Sequence, residues 1–154
     1  MLSALLVRPL HRDDYDQWRP LWDGYNAFYG RTGPTELPEA VTATTWARFL
    51  DEREPVRALV AESEGRLAGL AHYLFHRSTN RIEPVCYLQD LFTAPELRGR
   101  GVGRRLIEAV YRQAHDAGAR RVYWQTHTAN AAGRALYDRL ARHSGFIVYT
   151  HDAP

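Results

Sequence analysis

The sequence predicts an α/β (mixed α+β) fold, in which helices cover both faces of a mixed sheet in the order β-α-α-β-β-β-α-β-α-β. In four segments the apolar residues recur at spacings of three and four, as in amphipathic helices. Six shorter segments alternate or run apolar, as strands do. A glycine-rich stretch, residues 98–103, joins one predicted strand to one predicted helix.

Length and composition predict a single domain, residues 1–154, large enough to bury a core without disulfides. The 20 basic and 18 acidic residues nearly cancel, which argues against a broad basic face and against nucleic acid as a partner. The single cysteine, Cys86, lies in an apolar strand and predicts a reducing compartment. Residues 4–7 are too short for a signal segment, and no apolar run is long enough to cross a membrane. We therefore expect a cytoplasmic protein with no membrane partner.

The first predicted elements are a strand over Leu2–Val7 and two helices. Asp13 or Asp14 is expected to cap the first helix, and glycines from Gly30 onward end it. The apolar face of this helix comprises Trp18, Leu21, Trp22, Tyr25 and Phe28. The second helix, residues 38–51, has as apolar members Val41, Trp46, Phe49 and Leu50.

A hairpin is predicted next, with strands over residues 56–61 and 66–75 around a turn at 63–65. His72 and His76 on its second strand lie about 13 Å apart at ~3.3 Å per residue, so they cannot hold one metal ion together. No cysteine or histidine pair has zinc-finger spacing, and we predict no metal. A polar connection then leads to a buried strand over residues 87–93.

The remaining elements follow the glycine-rich stretch. A helix with an apolar stripe that includes Val102 and Leu106 is expected to end at Gly118. A strand over residues 122–126, a helix capped by Asn130, and a short final strand over residues 146–149 complete the predicted order. No repeat or linker interrupts the chain.

The glycine-rich stretch is predicted to bind phosphate or pyrophosphate. Glycines let backbone N–H groups approach a ligand closely, and N–H groups at a helix start lack helical partners and favour negative charge. The spacing of Gly99, Gly101 and Gly103 does not fit the Gly-x-Gly-x-x-Gly dinucleotide fingerprint, and no lysine follows as in a Walker loop. The alternative is a glycine turn that only caps a helix.

Arg98 to Gly103 fit the pattern Arg/Gln-x-x-Gly-x-Gly/Ala, and this stretch resembles the pyrophosphate loop of the GNAT superfamily of acyl-CoA-dependent N-acetyltransferases. A second segment, from Asn130 to Tyr137, resembles the pattern Asn-x-x-Ala/Gly-x-x-x-Tyr of that family, with the Gly-Phe pair at Gly145-Phe146. The resemblance covers residues 87–146 and implies a GNAT fold, acetyl-CoA as cosubstrate, and transfer of an acetyl group to a primary amine.

The resemblance also implies which residues bind and react. Tyr137 would be the general acid that protonates the departing CoA thiolate, because a phenol has a pKa of ~10 and a thiol ~8.5. Asn130 would contact the pantetheine arm, and backbone N–H groups of the Leu91–Thr93 segment would hold the carbonyl oxygen. The expected acetyl-CoA contacts are Leu91, Phe92, Thr93, Arg98, Gly99, Arg100, Gly101, Val102, Gly103, Arg104, Asn130, Gly133, Arg134 and Tyr137. The alternative for Tyr137 is a packed aromatic residue on an amphipathic helix.

The sequence gives less information about the residues that bind the acceptor amine. In the resembling proteins the first helix walls the acceptor site, so Trp22, Tyr25 and Tyr29 are candidate substrate-binding residues, with core packing as the alternative. The polyamine N-acetyltransferases have Leu-Glu-Asp where this chain has Leu88-Gln89-Asp90. Gln89 cannot take a proton, so the possibilities are that Asp90 attracts a cationic amine, that Glu83 acts from upstream, or that an ordered water path suffices. Gln89 and Asp90 are further candidate substrate-binding residues, and a structural hydrogen-bonding role is the alternative for Asp90.

The main hypothesis is therefore an enzyme acting on a small-molecule or peptide amine. A non-catalytic acyl-CoA sensor is the alternative that Gln89 favours, and a nucleic-acid binder using the arginines is the weakest hypothesis. The resemblance implies one more strand than residues 150–154 can form, so we expect a partner subunit to complete that edge in a homodimer.

Overall fold

The computed structural model describes residues 4–154 and contains one mixed sheet with four helices in that range. The strands are β1 (Leu6–Pro9), β2 (Val56–Ser63), β3 (Arg66–His76), β4 (Val85–Thr93) and β5 (Val122–Tyr123). The helices are α1 (Tyr15–Phe28), α2 (Glu39–Phe49), α3 (Val102–Asp116) and α4 (Ala131–Leu140). The strand order is β1-β2-β3-β4-β5, antiparallel except for the parallel β4–β5 pair.

Two apolar cores lie on opposite faces of the sheet, as the predicted fold class requires. On one face, Val102, Leu106 and Val110 of α3 pack in a cluster that contains sheet residues such as Leu59 and Leu88. The other face carries the aromatic side of α1, with Trp18 completely buried beside Leu70 of β3 and Phe92 of β4 in a second cluster. Because β4 contributes to both cores, its backbone is fixed from both sides.

The N-terminal elements differ from their predicted bounds. The predicted strand over residues 2–7 is displaced, since β1 covers Leu6–Pro9 and residues 1–3 lie outside the described range. Asp14 precedes α1 but its side chain does not cap that helix. It instead accepts two hydrogen bonds from the Arg8 guanidinium (2.8 and 2.9 Å) and one from the His11 backbone N–H (2.6 Å). Both carboxylate oxygens of Asp14 thus have partners before α1 begins, which explains the difference.

The apolar face of α2 is also different from the prediction. Val41 is 42% exposed, whereas its neighbour Thr42 is buried. The Thr42 hydroxyl accepts a hydrogen bond from the buried Trp22 indole N–H at 3.0 Å. A buried indole N–H needs an acceptor, so α2 presents threonine rather than valine to α1.

The predicted last strand, residues 146–149, is not formed. Its four residues, Phe146, Ile147, Val148 and Tyr149, are between 67% and 88% exposed. The strand β5 is limited to two residues instead of the predicted five. A two-residue edge offers too few ladder hydrogen bonds to hold a further strand of the same chain.

In the described range, no helix is both long and apolar enough to cross a membrane.

Asp14 is expected to stabilise the fold through Arg8. Hydrogen bonds from Arg8 and His11 hold the pKa of the Asp14 carboxyl below its ordinary value of 3.8, with Arg8 the largest cause. Replacing Asp14 with asparagine should therefore lower the free energy of unfolding at pH 7 by about 1–3 kcal/mol. A carboxyl whose folded pKa is lowered stabilises above its unfolded pKa and ceases to do so as the pH falls through its folded pKa.

Urea unfolding at pH 7 and pH 3 measures this effect. The difference between the wild type and Asp14→Asn should shrink at the lower pH. Asp13→Asn is the matched control, since the neighbouring Asp13 side chain is 87% exposed, and it should change stability by less than about 0.5 kcal/mol. An Asp14 effect that stays constant with pH would contradict the role of its charge.

Candidate active site

The glycine loop, residues 98–103, connects β4 to α3 after a short 3₁₀ turn. Gly99 (φ +75°) and Gly101 (φ +85°) adopt the left-handed conformation, and an added Cβ would meet nothing within 4 Å at either position. Glycine is therefore required here by backbone conformation rather than by crowding. The first helical bond of α3 is donated by Arg105 N to Gly101 O at 3.1 Å. The N–H groups before Arg105 thus lack helical acceptors and form an anion-binding helix start.

Arg98 and Arg100 of the loop and Arg104 in the first turn of α3 are exposed, and two of these three have defined partners. Arg98 Nε donates to the Thr93 carbonyl oxygen (3.1 Å), and the Arg98 guanidinium lies 5.2 Å from the centre of the Phe92 ring. Arg104 Nε donates to Glu108 Oε1 at 2.9 Å, one turn along α3. Positive charge and the positive end of the α3 dipole therefore coincide at the loop.

A cleft opens where β4 and β5 diverge. The two strands pair only at Cys86–Val122 and Tyr87–Tyr123, while β4 continues to Thr93. Opposite this edge, His72 of β3 pairs with Asp90 and the next residue pairs with Leu88, so Gln89 is the extra residue of a β-bulge. Bulges occur next to active sites because they redirect backbone and side chains.

Asn130 caps α4 on the far side of the cleft. Its Oδ1 accepts a hydrogen bond from Gly133 N (3.2 Å), and its Nδ2 donates to Thr126 Oγ1 (2.9 Å). A Cβ at Gly133 would lie 2.4 Å from Asn130 Nδ2, so glycine at this position leaves room for the cap. Arg134 donates to the Thr128 carbonyl oxygen (2.9 Å) and holds the same turn. These contacts give Asn130 and Gly133 a structural task, and their contact with a pantetheine arm stays a prediction.

Tyr137 lies on the cleft side of α4 and is half-buried. Its ring meets the Trp124 ring edge-on, with centroids 5.5 Å apart. Burial raises the pKa of the Tyr137 phenol above its ordinary value of 10.0, and the nearby Tyr29 phenol raises it further. Tyr137 is therefore protonated at neutral pH.

Three aromatic side chains follow one another along α1 and at its C-terminal end, and we call them the aromatic wall: Trp22, Tyr25 and Tyr29. Its ring centroids are 5.9 Å and 5.1 Å apart in sequence order. Trp22 is only 6% exposed and is held between α1 and α2, whereas Tyr29 is 42% exposed. The Tyr25 hydroxyl reaches the Gln89 carbonyl oxygen of the bulge at 3.4 Å. Trp22 and Tyr25, which is 7% exposed, thus belong to the core, and Tyr29 is the exposed member of the wall.

A buried chain of hydrogen bonds, which the sequence did not reveal, ends at Asp90. Asp90 Oδ2 lies 2.8 Å from His72 Nδ1, and Trp18 Nε1 donates to His72 Nε2 at 3.1 Å. All three residues are at least 92% buried. Because Nε2 accepts from Trp18, the proton of His72 sits on Nδ1 and is donated to the Asp90 carboxylate. The pairing of His72 with Asp90 is the signal that sequence reasoning lacked, since it depends on strand register.

Other predicted site residues are not brought to the cleft with defined contacts. The Glu83 carboxylate is 3.4 Å from Arg81 in the connection before β4. The Gln89 side chain is exposed, and Arg100 is exposed at the tip of the glycine loop. Across residues 4–154, no group of three or more metal-ligating side chains is present.

Comparison with known proteins agrees with this architecture. The profile described as "Acetyltransferase (GNAT) family" matches residues 18–141. A D-amino-acid N-acetyltransferase of Saccharomyces cerevisiae is 35% identical over 149 residues, covering 96% of this chain and 90% of the yeast protein. The aminoglycoside N(6')-acetyltransferase type 1 of Salmonella typhimurium is 25% identical over 141 residues, covering 87% of this chain and 88% of that protein.

Solved structures share the fold. An aminoglycoside N-acetyltransferase in complex with CoA aligns with a TM-score of 0.78 at 21% identity, over 99% of this chain and 97% of its own. The family profile and the yeast relative, on this fold, define the chain as an acetyltransferase. It belongs to the GNAT family of N-acetyltransferases, and it is an enzyme of that class.

Proposed function

We propose that this enzyme transfers the acetyl group of acetyl-CoA to a primary amine of a small molecule or peptide by direct attack, with Tyr137 as general acid. The observation that carries the proposal is the position of Tyr137. It lies on α4, its ring contacts Trp124 just beyond β5, and Tyr29 of the aromatic wall contributes to its raised pKa. We therefore assign to Tyr137 a position near both the thioester and the amine.

The residues around the cleft fit acetyl-CoA. The glycine loop, with Arg98, Arg100 and Arg104 beside it, would hold the pyrophosphate at the start of α3. The unpaired edge of β4 over residues 91–93 would offer N–H groups to the thioester oxygen, and Asn130, Gly133 and Arg134 would line the pantetheine arm. When bound, acetyl-CoA supplies an acetyl group that is activated as a thioester.

The acceptor reacts as a neutral amine, so an ammonium group must first lose one proton to water. As the amine nitrogen then bonds to the carbonyl carbon and the carbon–sulfur bond breaks, the nitrogen loses a second proton and the sulfur gains one. Tyr137 is protonated at neutral pH and is the donor for the sulfur. A backbone N–H of residues 91–93 stabilises the negative charge that develops on the oxygen.

Asp90 is the best placed carboxylate for the amine. The Tyr25 hydroxyl contacts the Gln89 carbonyl oxygen at the bulge, one residue before Asp90. A hydrogen bond with His72 fixes the position of the Asp90 carboxylate. Glu83 is already paired with Arg81, which is among the causes that lower its pKa. We assign to Asp90 the attraction of a cationic amine and to water beside it the removal of the proton. The names of the yeast and Salmonella relatives support a small-molecule amine as acceptor.

A panel of amines tests the proposed function. The purified protein is incubated with acetyl-CoA and each amine, and the released CoA thiol is measured. Amino acids, aminoglycosides, polyamines and a lysine-containing peptide form the panel. We expect amine-dependent thiol release and an acetylated product of matching mass. Stabilisation by acetyl-CoA without release from any amine would instead support the sensor hypothesis.

Gly101 is expected to matter for acetyl-CoA and not only for folding. Replacing Gly101 with alanine forces a side chain into the left-handed conformation at a cost of about 1–2 kcal/mol, which the loop relieves by moving its N–H groups. The KM for acetyl-CoA should rise about tenfold. Gly118→Ala is the matched control, because Gly118 (φ +83°) has the same conformation at the other end of α3. Equal KM increases in both variants would contradict a pyrophosphate site at the loop.

We further propose that the enzyme is a homodimer. Residues 146–149 form an apolar, β-prone segment that is exposed along its whole length, and β5 ends the sheet with one open side. A second copy that covers this segment and the short β5 edge with its own apolar segment would bury both. Sedimentation at micromolar concentration should give a dimer that Val148→Lys dissociates. A wild type that stays monomeric at that concentration would refute the proposal.

A further inference from the structure

Arg31 carries a positive charge beside the aromatic wall. Its guanidinium carbon lies 5.7 Å from the centre of the Tyr25 ring and 5.5 Å from that of Tyr29. Among the ion pairs of the described range, none involves Arg31. A half-buried guanidinium that stacks on two rings and pairs with no carboxylate of residues 4–154 is available to an anionic ligand.

The position of this guanidinium is fixed from α1. Arg31 Nε donates to Asn26 Oδ1 at 2.7 Å, and the Arg31 backbone N–H donates to the Asn26 carbonyl oxygen at 2.9 Å. Asn26 is 5% exposed, and its own Nδ2 donates to the Trp22 carbonyl oxygen at 2.9 Å. Only Nε is used by these bonds. The two terminal nitrogens therefore remain as a planar fork, which is the geometry that binds a carboxylate through two hydrogen bonds.

A negative charge also acts on Tyr25. The Tyr25 hydroxyl reaches the Gln89 carbonyl oxygen at 3.4 Å, one residue before Asp90 on β4. Burial raises the pKa of the Tyr25 phenol most, the Asp90 charge raises it further, and the Arg31 charge lowers it. The Asp90 carboxylate and the Arg31 guanidinium therefore both lie near this phenol. An acceptor bound beside it meets one group that attracts a cation and one that attracts an anion.

We propose that the acceptor is an amino acid with a free carboxylate, held by the Arg31 guanidinium while its ammonium is drawn towards Asp90. This inference rests on the proposed function, because it assigns the substrate class of the same site. Arg31 binds the acceptor at a distance from the reacting atoms and so determines specificity. Aminoglycosides and polyamines lack the carboxylate, and this pair of charges disfavours them.

Turnover of matched acceptors tests the role of Arg31. D- and L-phenylalanine are compared with phenylalanine amide and phenethylamine, which keep the amine but lose the anion. The wild type should prefer the amino acid. Arg31→Gln should lower kcat/KM for the amino acid by about 10- to 100-fold through KM, leave the two neutral analogues unchanged, and leave the KM for acetyl-CoA unchanged. Arg31→Lys should restore part of the loss, and Arg48→Gln on the exposed side of α2 serves as control.

Binding without turnover separates this inference from the proposed function. Phenylalanine is titrated calorimetrically into the protein saturated with CoA, for the wild type and for Arg31→Gln. Binding that the substitution weakens about 10- to 100-fold supports the carboxylate site even if no amine is acetylated. A wild type that acetylates phenylalanine amide as well as phenylalanine overturns it, as does an Arg31→Gln variant that binds phenylalanine unchanged. In both cases the acetyltransferase proposal would stand on its own measurements.

Discussion

Replacing Tyr137 with phenylalanine is expected to lower kcat by about 10²- to 10⁴-fold, which is the usual contribution of a positioned general acid. The substitution keeps the edge-on packing of the ring against Trp124 and removes only the hydroxyl group. Acetyl-CoA affinity and stability should therefore change little. Steady-state kinetics at saturating acetyl-CoA, together with calorimetric titration of CoA, measure the two effects separately.

The pH profile gives a second, independent readout. Burial and Tyr29 raise the pKa of Tyr137 above 10.0, so the wild-type kcat should fall only above that pH, as the phenol loses its proton. The phenylalanine variant should lack this alkaline fall. Tyr73→Phe is the matched control, because Tyr73 is 5% exposed and burial raises its pKa to about 12, but it lies in the core under α3. A Tyr137→Phe enzyme with wild-type turnover at every pH would remove the hydroxyl from the mechanism.

The features that the sequence predicted best are local ones. The left-handed glycines of the loop and the cap of α4 by Asn130 each depend on residues within a few positions of one another. Spacing along the chain therefore determines them, and the structure confirms the predicted strand–loop–helix order and the cap. The position of Tyr137 on the same helix follows from the cap, since a helix start fixes the direction of every later side chain.

The features that the sequence did not predict depend on distant pairing. His72 and Asp90 are 18 positions apart, and they meet because a bulge at Gln89 shifts the register between β3 and β4. A shift of one residue would send either side chain to the opposite face of the sheet. The missing strand over residues 146–149 has a similar cause, because its apolar pattern is right for a strand while β5 is too short to pair with it. Patterns of hydrophobicity do not reveal which edge is available.

Hydrogen bonds and packing connect the aromatic core to the candidate active site. Trp18 is completely buried, and it donates to the histidine that holds Asp90. Packing of α1 against the sheet consequently fixes both the aromatic wall and the carboxylate behind it. The sequence interpretation assigned Trp18 to the core alone. Its indole nitrogen gives it a second task, which is to keep the proton of His72 on the nitrogen that faces Asp90.

Replacing Asp90 with asparagine is expected to lower kcat/KM for the amine by about 10²-fold, without changing the KM for acetyl-CoA. At 4 Å and an effective dielectric constant of 20, a carboxylate attracts an ammonium group by about 4 kcal/mol, and part of this is lost with the charge. Asparagine keeps an oxygen that accepts the His72 Nδ1 proton, so the buried chain and the fold are retained. Asp116→Asn, on the exposed end of α3, controls for the loss of one negative charge elsewhere.

The role of His72 is tested through its coupling to Asp90. If His72 acts only by holding the carboxylate, His72→Gln should lower kcat/KM in the wild type and have almost no effect in the Asp90→Asn background. The double variant should then match Asp90→Asn alone in turnover, although its free energy of unfolding should fall because the bond to Trp18 is weakened. Fully additive losses in turnover would show that His72 acts on the amine independently of Asp90. The buried position of His72, 3% exposed behind Asp90, favours the first result.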